Sequence, residues 1–261
     1  MAQTEQKNQN VKKQFEELQS LLERAMALQT SMVLFEWDDE TLAPKGAAEH
    51  TARVIGSLSE QYQEILASMR FKELLDACQK AEKENAGVFD EVQSAILREA
   101  AEEQERLSCI PPEEYRAYAE LTARATGIWT RAREKNDFAS FAPVLKEIIS
   151  YQKKFAAYRA KPGQKLYDVM LDSFEPGFTM EKLDEFFGML KEHIVPLLKQ
   201  VMESPVCIQD DFLDGDYSEE KQRELAEYLA KYVGFDFSKG VLAVSQYFLK
   251  ALHQILNLYF L

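Results

Sequence analysis

Three histidines, His50, His193 and His253, are the only imidazoles in the chain, and none lies within a helical turn of another. A zinc hydrolase centre needs two imidazoles one turn apart, because that spacing aims both nitrogens at one ion. HExxH is absent. His50 sits beside Glu49 and Arg53, which fits either a contribution to a site or a helix-surface histidine with local ion pairs. His193 follows Glu192 on a helix, where a polar-face role accounts for it as well. His253 belongs to a carboxylate-free tail, and a structural role is the simpler reading there. The run Glu36, Asp38, Asp39 and Glu40 around Trp37 offers paired carboxylates for acid and base work or for a hard cation. More often such a run is a solvated helix end.

The nucleophile and phosphate motifs are also missing: there is no GxxxxGK[ST], no GxGxxG and no GxSxG. A cysteine nucleophile needs a histidine or a helix N-terminus to lower its pKa. Cys78 lies on an apolar helix face and reads as core packing. Cys78, Cys109 and Cys207 are odd in number and far apart, which argues against a disulfide framework and for a reducing cytoplasm. Residue spacing alone therefore assigns no catalytic and no metal-binding residue.

The elements that would position a site are helices. Val11, Phe15, Leu18, Leu22, Ala25, Met26 and Leu28 recur three and four apart, which predicts a helix from about 4 to 32 that stops near Trp37, ahead of Pro44 and Gly46. Helices are expected over about 47–69 and 70–84, with a break at Asn85-Ala86-Gly87. A further helix is expected over 88–107, whose end, REAAEEQER, should project into solvent. Pro111-Pro112 starts a helix to about Asn136, with Glu113 and Glu114 complementing its dipole. Ser140 caps the next, with Pro143 in its first turn and Val144, Ile148, Ile149, Tyr151 and Phe155 on its buried side. LYDVMLDSF is a short apolar segment ended by Glu175-Pro176-Gly177. Thr179 caps a long helix that Pro196 should kink, Ser218 caps another, and Gly234 ends it. No segment alternates with period two, so the fold class is all-α, built of long antiparallel helices.

Apolar residues make up 46% and charged residues 29% of 261, a globular composition long enough for one large core. The net charge of −13 disfavours nucleic acid and anionic membranes, and no basic patch offsets it. The start, MAQTEQKNQNVKKQ, lacks the apolar core of a signal peptide, so a cytoplasmic location is expected.

Several stretches together resemble the carboxypeptidase Taq family of metallocarboxypeptidases. Trp37-Asp38-Asp39-Glu40-Thr41, with Pro44, Gly46, Ala47, Glu49 and Arg53, is similar to the family's WDxET segment and its downstream turn. Trp129, Ala132-Arg133, Asp137-Phe138, Phe141, Pro143 and Leu145 resemble a second stretch. Tyr167-Asp168, Leu171-Asp172, Phe174-Glu175-Pro176-Gly177 and Thr179 resemble a third. Lys221-Gln222, Gly234-Phe235-Asp236-Phe237, Gly240 and Ser245 resemble a fourth. The match covers about 37–245 and corresponds to the N-terminal half of a family member. It implies a helical, typically homodimeric metallopeptidase that removes single residues from peptide C-termini. In that family zinc or cobalt sits on HExxH and a downstream Glu, with the motif Glu as general base.

At Gln246-Tyr247-Phe248-Leu249, where the family carries His-Pro-Phe, the resemblance stops. The expectation is thus two parts: 1–245, the helical N-terminal part of such a domain, and 246–261, a divergent apolar tail. All 44 carboxylate residues lie at or before Asp236, and 15 of the 21 residues from Val241 are apolar. Gln246, Lys250, His253, Gln254 and Asn257 form a narrow polar stripe that fits a helix packed in a groove better than a membrane span. A frameshift or an early stop would produce such an end, and so would a natural short paralogue. The resemblance places the zinc ligands beyond this chain, so no cofactor is expected in it and no catalytic or metal residue is carried over. Peptide substrates, zinc or cobalt and a homodimer belong to the full-length family. A reading of another class is a catalytically silent helical module that binds itself or a partner through its apolar tail.

Overall fold

The computed structural model describes residues 2–85 and 87–242; the tail expected at 246–261, His253 included, lies outside them. All regular structure among the described residues is helical, as the sequence pattern requires. Two compact units meet in sequence at Phe174 and Glu175.

The first unit begins with α1 (Ala2–Thr41), roughly 60 Å long at the usual helical rise. It buries Val11, Phe15, Leu18, Ala25 and Val33, one stripe at three- to four-residue multiples. The helix does not stop near Trp37. Thr41 Oγ1 donates to the Trp37 carbonyl, and the N–H groups of Leu42 and Ala43 close on the Asp38 carbonyl, so the last turn is completed before Pro44 is reached.

Next come α2 (Ala48–Leu66), α3 (Met69–Glu84) and α4 (Glu91–Ser108). Ser68 caps α3 by accepting from the Phe71 N–H, and Asp90 with Gln93 forms a reciprocal capping box on α4. Phe15 and Leu18 of α1, Leu66 of α2, Phe71, Leu74 and Cys78 of α3, and Leu97 and Leu107 of α4 form the core. A fully buried Leu or Phe of this kind contributes about 1.5–3 kcal/mol. The expectation that REAAEEQER projects into solvent is overturned: Ala100, Gln104 and Leu107 are buried. Within that run the packed positions are Ala100 and Gln104, one small and one polar, which hydrophobicity does not reveal.

Across α2 lies α5 (Pro112–Glu134), followed by α6 (Phe138–Arg159) and the short α7 (Leu166–Asp172). Gly56 of α2 and Ala125 of α5 are buried where those helices meet. Tyr118 packs its ring against Tyr151 (5.7 Å) and edge-on against Phe155 (5.3 Å), joining α5 to α6. Asp137, not Ser140, caps α6: its carboxylate accepts from the Ser140 N–H, so Pro143 lies beyond the first turn. Of the side chains expected on the buried face, Phe155 is buried and Ile149 is exposed.

The second unit holds α8 (Met180–Glu203) and α9 (Glu219–Tyr232). Thr179 and Ser218 cap them by accepting from Lys182 and Lys221 N–H. The helix α8 is continuous through Pro196. Gly234 takes φ +85° as α9 ends, with Gly234 N–H on the Lys231 carbonyl and Phe235 N–H on that of Ala230, a Schellman motif. Among the described residues no side chain after Val169 is buried.

Candidate functional site

Apart from His253, the residues that spacing singled out lie in the first or the second unit. Trp37, Asp38 and Asp39 occupy the C-terminal turn of α1, which carries no basic residue. Carboxylates at a helix C-terminus oppose the dipole. Asp39 titrates above the ordinary aspartate range, because burial disfavours its charge and Asp38 adds like-charge repulsion. His50 and Arg53 are exposed on α2, and Glu49 faces Arg124 of α5 at 3.8 Å, the local ion pair that a surface reading expects. His193 is exposed on α8. Among the described residues no group of three His, Cys, Asp or Glu side chains converges as a metal ligand set.

Cys78 is fully buried, and burial pushes its thiol up to about 11, so it packs and does not react. Cys109 is half-buried and also raised, again by burial first. Cys207 is exposed. All three are free thiols.

The residues that carry the family resemblance turn out to shape helix ends. Asp137 caps α6, Gly177 adopts φ +81° ahead of α8, Thr179 caps it, and Gly234 closes α9. Asp236 accepts from the N–H and hydroxyl of Ser238, and a Cβ on Gly240 would lie 2.5 Å from the Phe235 ring. Arg133 sits over the Trp129 ring at 5.3 Å. These motifs specify turns and helix junctions.

Clefts open on the first unit among the described residues. One, of about 380 Å³, lies between α1 and α2 around Arg24, Leu28, Gln61 and Glu64. The other, of about 280 Å³, is an open cleft between α1, α2, α4 and α5, lined by Met32, Glu36, Ser59, Tyr62, Glu103, Tyr115 and Tyr118, among others. Tyr62 donates to Glu103 Oε1 at 3.2 Å, and burial pushes its hydroxyl up to about 12. Burial raises Tyr115 and Tyr118 as well. Ser59, 5% exposed, donates its hydroxyl to the Met32 sulfur at 3.0 Å. Sequence reasoning did not find this group. Its members come from four helices, and helical spacing links them only within a helix, as Met32 with Glu36, Ser59 with Tyr62 and Tyr115 with Tyr118, never across helices.

No helix of the described residues is long and apolar enough to cross a membrane. The family Carboxypeptidase Taq (M32) metallopeptidase matches residues 17–253. Carboxypeptidase 1 of Bacillus subtilis is 36% identical over 220 residues, covering 84% of this chain and 43% of that protein. Thermostable carboxypeptidase 1 of Thermus thermophilus is 30% identical over 233 residues, 85% of this chain and 45% of the other. Among solved structures, the BsuCP crystal structure superimposes with a TM-score of 0.82 at 35% identity, over 90% of this chain and 46% of that one. Trypanosoma cruzi metallocarboxypeptidase 1 gives 0.70 at 28% identity, over 90% and 47%. The chain thus spans a little under half the length of the relatives it matches.

Proposed function

The chain belongs to the carboxypeptidase Taq family of metallopeptidases, and we propose that it supplies the helical N-terminal part of that fold and does not hydrolyse peptides alone. The parent reaction is metal-dependent release of single residues from peptide C-termini, with zinc or cobalt as the ion. Where bound in the full-length family, such an ion would supply Lewis-acid chemistry to the peptide carbonyl and water. The donors in this chain do not fit that ion: HExxH is absent, and among the described residues no three candidate ligands converge.

One observation carries the reading. The second unit has an amphipathic helix, α8, that buries nothing: Phe187, Ile194, Leu198 and Val201 are each 50–60% exposed. Helices of globular folds hide such a stripe. A chain that spans under half of its relatives, with a helical face left bare, fits a share of a larger core. Peptide substrates and a homodimer come to the chain with the family, a cytoplasmic location comes from its three scattered cysteines, and all belong to the same proposal; a charge of −13 disfavours nucleic acid and anionic membrane as partners. The test is metal content after incubation with zinc and desalting. Substoichiometric zinc is expected, and one tightly held ion per chain would overturn the reading.

The tail, apolar at 15 of the 21 residues from Val241, favours a second reading, a silent module that associates through that tail. Light scattering with and without residues 241–261 separates the two. A module gives one defined oligomer that the deletion abolishes, and a share of a larger core gives ill-defined association in both forms.

A further inference from the structure

Both long helices of the second unit carry an apolar stripe that stays exposed. On α8, Phe186, Phe187, Ile194, Leu197, Leu198 and Val201 recur at helical multiples along one side, roughly 20 Å from end to end, and each is at least 44% exposed. Glu185, Glu192, Lys199 and Glu203 run along the opposite side. On α9, Leu225, Tyr228, Leu229 and Tyr232 repeat the pattern and are exposed as well. Among the described residues of this unit, neither helix packs along the other. Ten such side chains, at roughly 100 Å² apiece, present on the order of 1,000 Å² of apolar surface, where a stable interface takes about 800 Å² from each partner. Monomers rarely leave so much apolar surface in water.

The charge of the unit narrows what can cover these stripes. Residues 175–246 hold 15 Asp and Glu against 7 Lys and Arg. A helix that lies on a membrane carries Lys and Arg on its polar face, whereas that of α8 is mostly acidic. Two copies of so acidic a unit repel each other, so a second copy is a poor occupant. The comparisons supply a better one. The family match over residues 17–253 takes in both helices, and the BsuCP structure, matched over 90% of this chain, is about twice as long. Counterparts of α8 and α9 therefore stand in chains whose other half has no match here.

We propose that the apolar stripes of α8 and α9 are the docking surface for a separate helical polypeptide, equivalent to the half of the family fold that this chain does not match. The assignment rests on the reading of the chain as a share of a larger core. The probe is the unmatched half of Bacillus subtilis carboxypeptidase 1, tagged and co-expressed with the full 261-residue chain. A one-to-one complex that survives high salt is expected, because the contact is apolar. Ile194→Glu and Leu198→Glu should each weaken it about thirtyfold, and Glu192→Gln on the opposite side should leave it unchanged. All three positions are exposed, so the free variants should melt as the parent chain does. Absence of the complex, a complex indifferent to Leu198→Glu, or equal loss with Glu192→Gln would overturn the assignment. So would a stable dimer of the chain alone that Leu198→Glu breaks. None of these outcomes alters the zinc content expected of the chain alone, so this assignment and the proposed function fail separately.

Discussion

Gly56 decides how closely α2 and α5 approach, and its replacement by alanine has a sign that can be worked out. A Cβ at Gly56 would lie 2.3 Å from Glu120 Cγ, 2.8 Å from its Oε1 and 3.0 Å from its Cδ. The clash is with the stem of that side chain, which cannot swing away as a tip would. Overpacking of this kind costs about 1–3 kcal/mol. Against it, alanine in a helix interior gains about 1 kcal/mol over glycine. Gly56→Ala should therefore destabilise by about 1 kcal/mol. In a Glu120→Ala background the clash is gone, and the same substitution should stabilise by about 1 kcal/mol, a coupling of about 2 kcal/mol. The assay is urea unfolding followed by the fluorescence of Trp37 and Trp129, the two tryptophans of the chain, both in the first unit. Equal stabilisation by Gly56→Ala in both backgrounds would refute the close approach.

Gln63 is fully buried, and its Nε2 donates to the carbonyls of Leu107 and Ile110 while Oε1 has no partner. Gln63→Leu orphans two carbonyls and should cost about 2 kcal/mol in the same unfolding assay. Asp39, whose folded value is raised, adds stability that is full below the ordinary aspartate range and is lost as pH rises through that folded value. Asp39→Asn should accordingly stabilise at neutral pH, with the gain vanishing in acid thermal melts; a gain constant from pH 7 to pH 3 would contradict it. At pH 8 an alkylating reagent should modify Cys207 in the native chain and Cys78 only after denaturation, read by peptide mass spectrometry.

The all-helical class and most helix ends were legible because local chemistry dictates them. Thr179, Ser218 and Gly234 do what their side chains, or lack of one, dispose them to do. Where two cap residues compete within one turn, as Asp137 and Ser140 do, the earlier one sets the start and the sequence does not rank them. The buried face of α4 stayed hidden because Ala100 and Gln104 pack at close range without much apolar mass. The aromatic cleft stayed hidden because contacts between helices far apart in sequence build it. The histidines are isolated from one another along the chain, as their spacing indicates, and the structure adds that His50 and His193 are both exposed.

The most direct measurement is release of C-terminal residues from a peptide library by the purified 261-residue chain, with zinc or cobalt supplied and a chelator as control. No release above background is expected under either condition. Sustained, chelator-sensitive release of single residues would contradict the proposal that the chain holds no metal centre of its own.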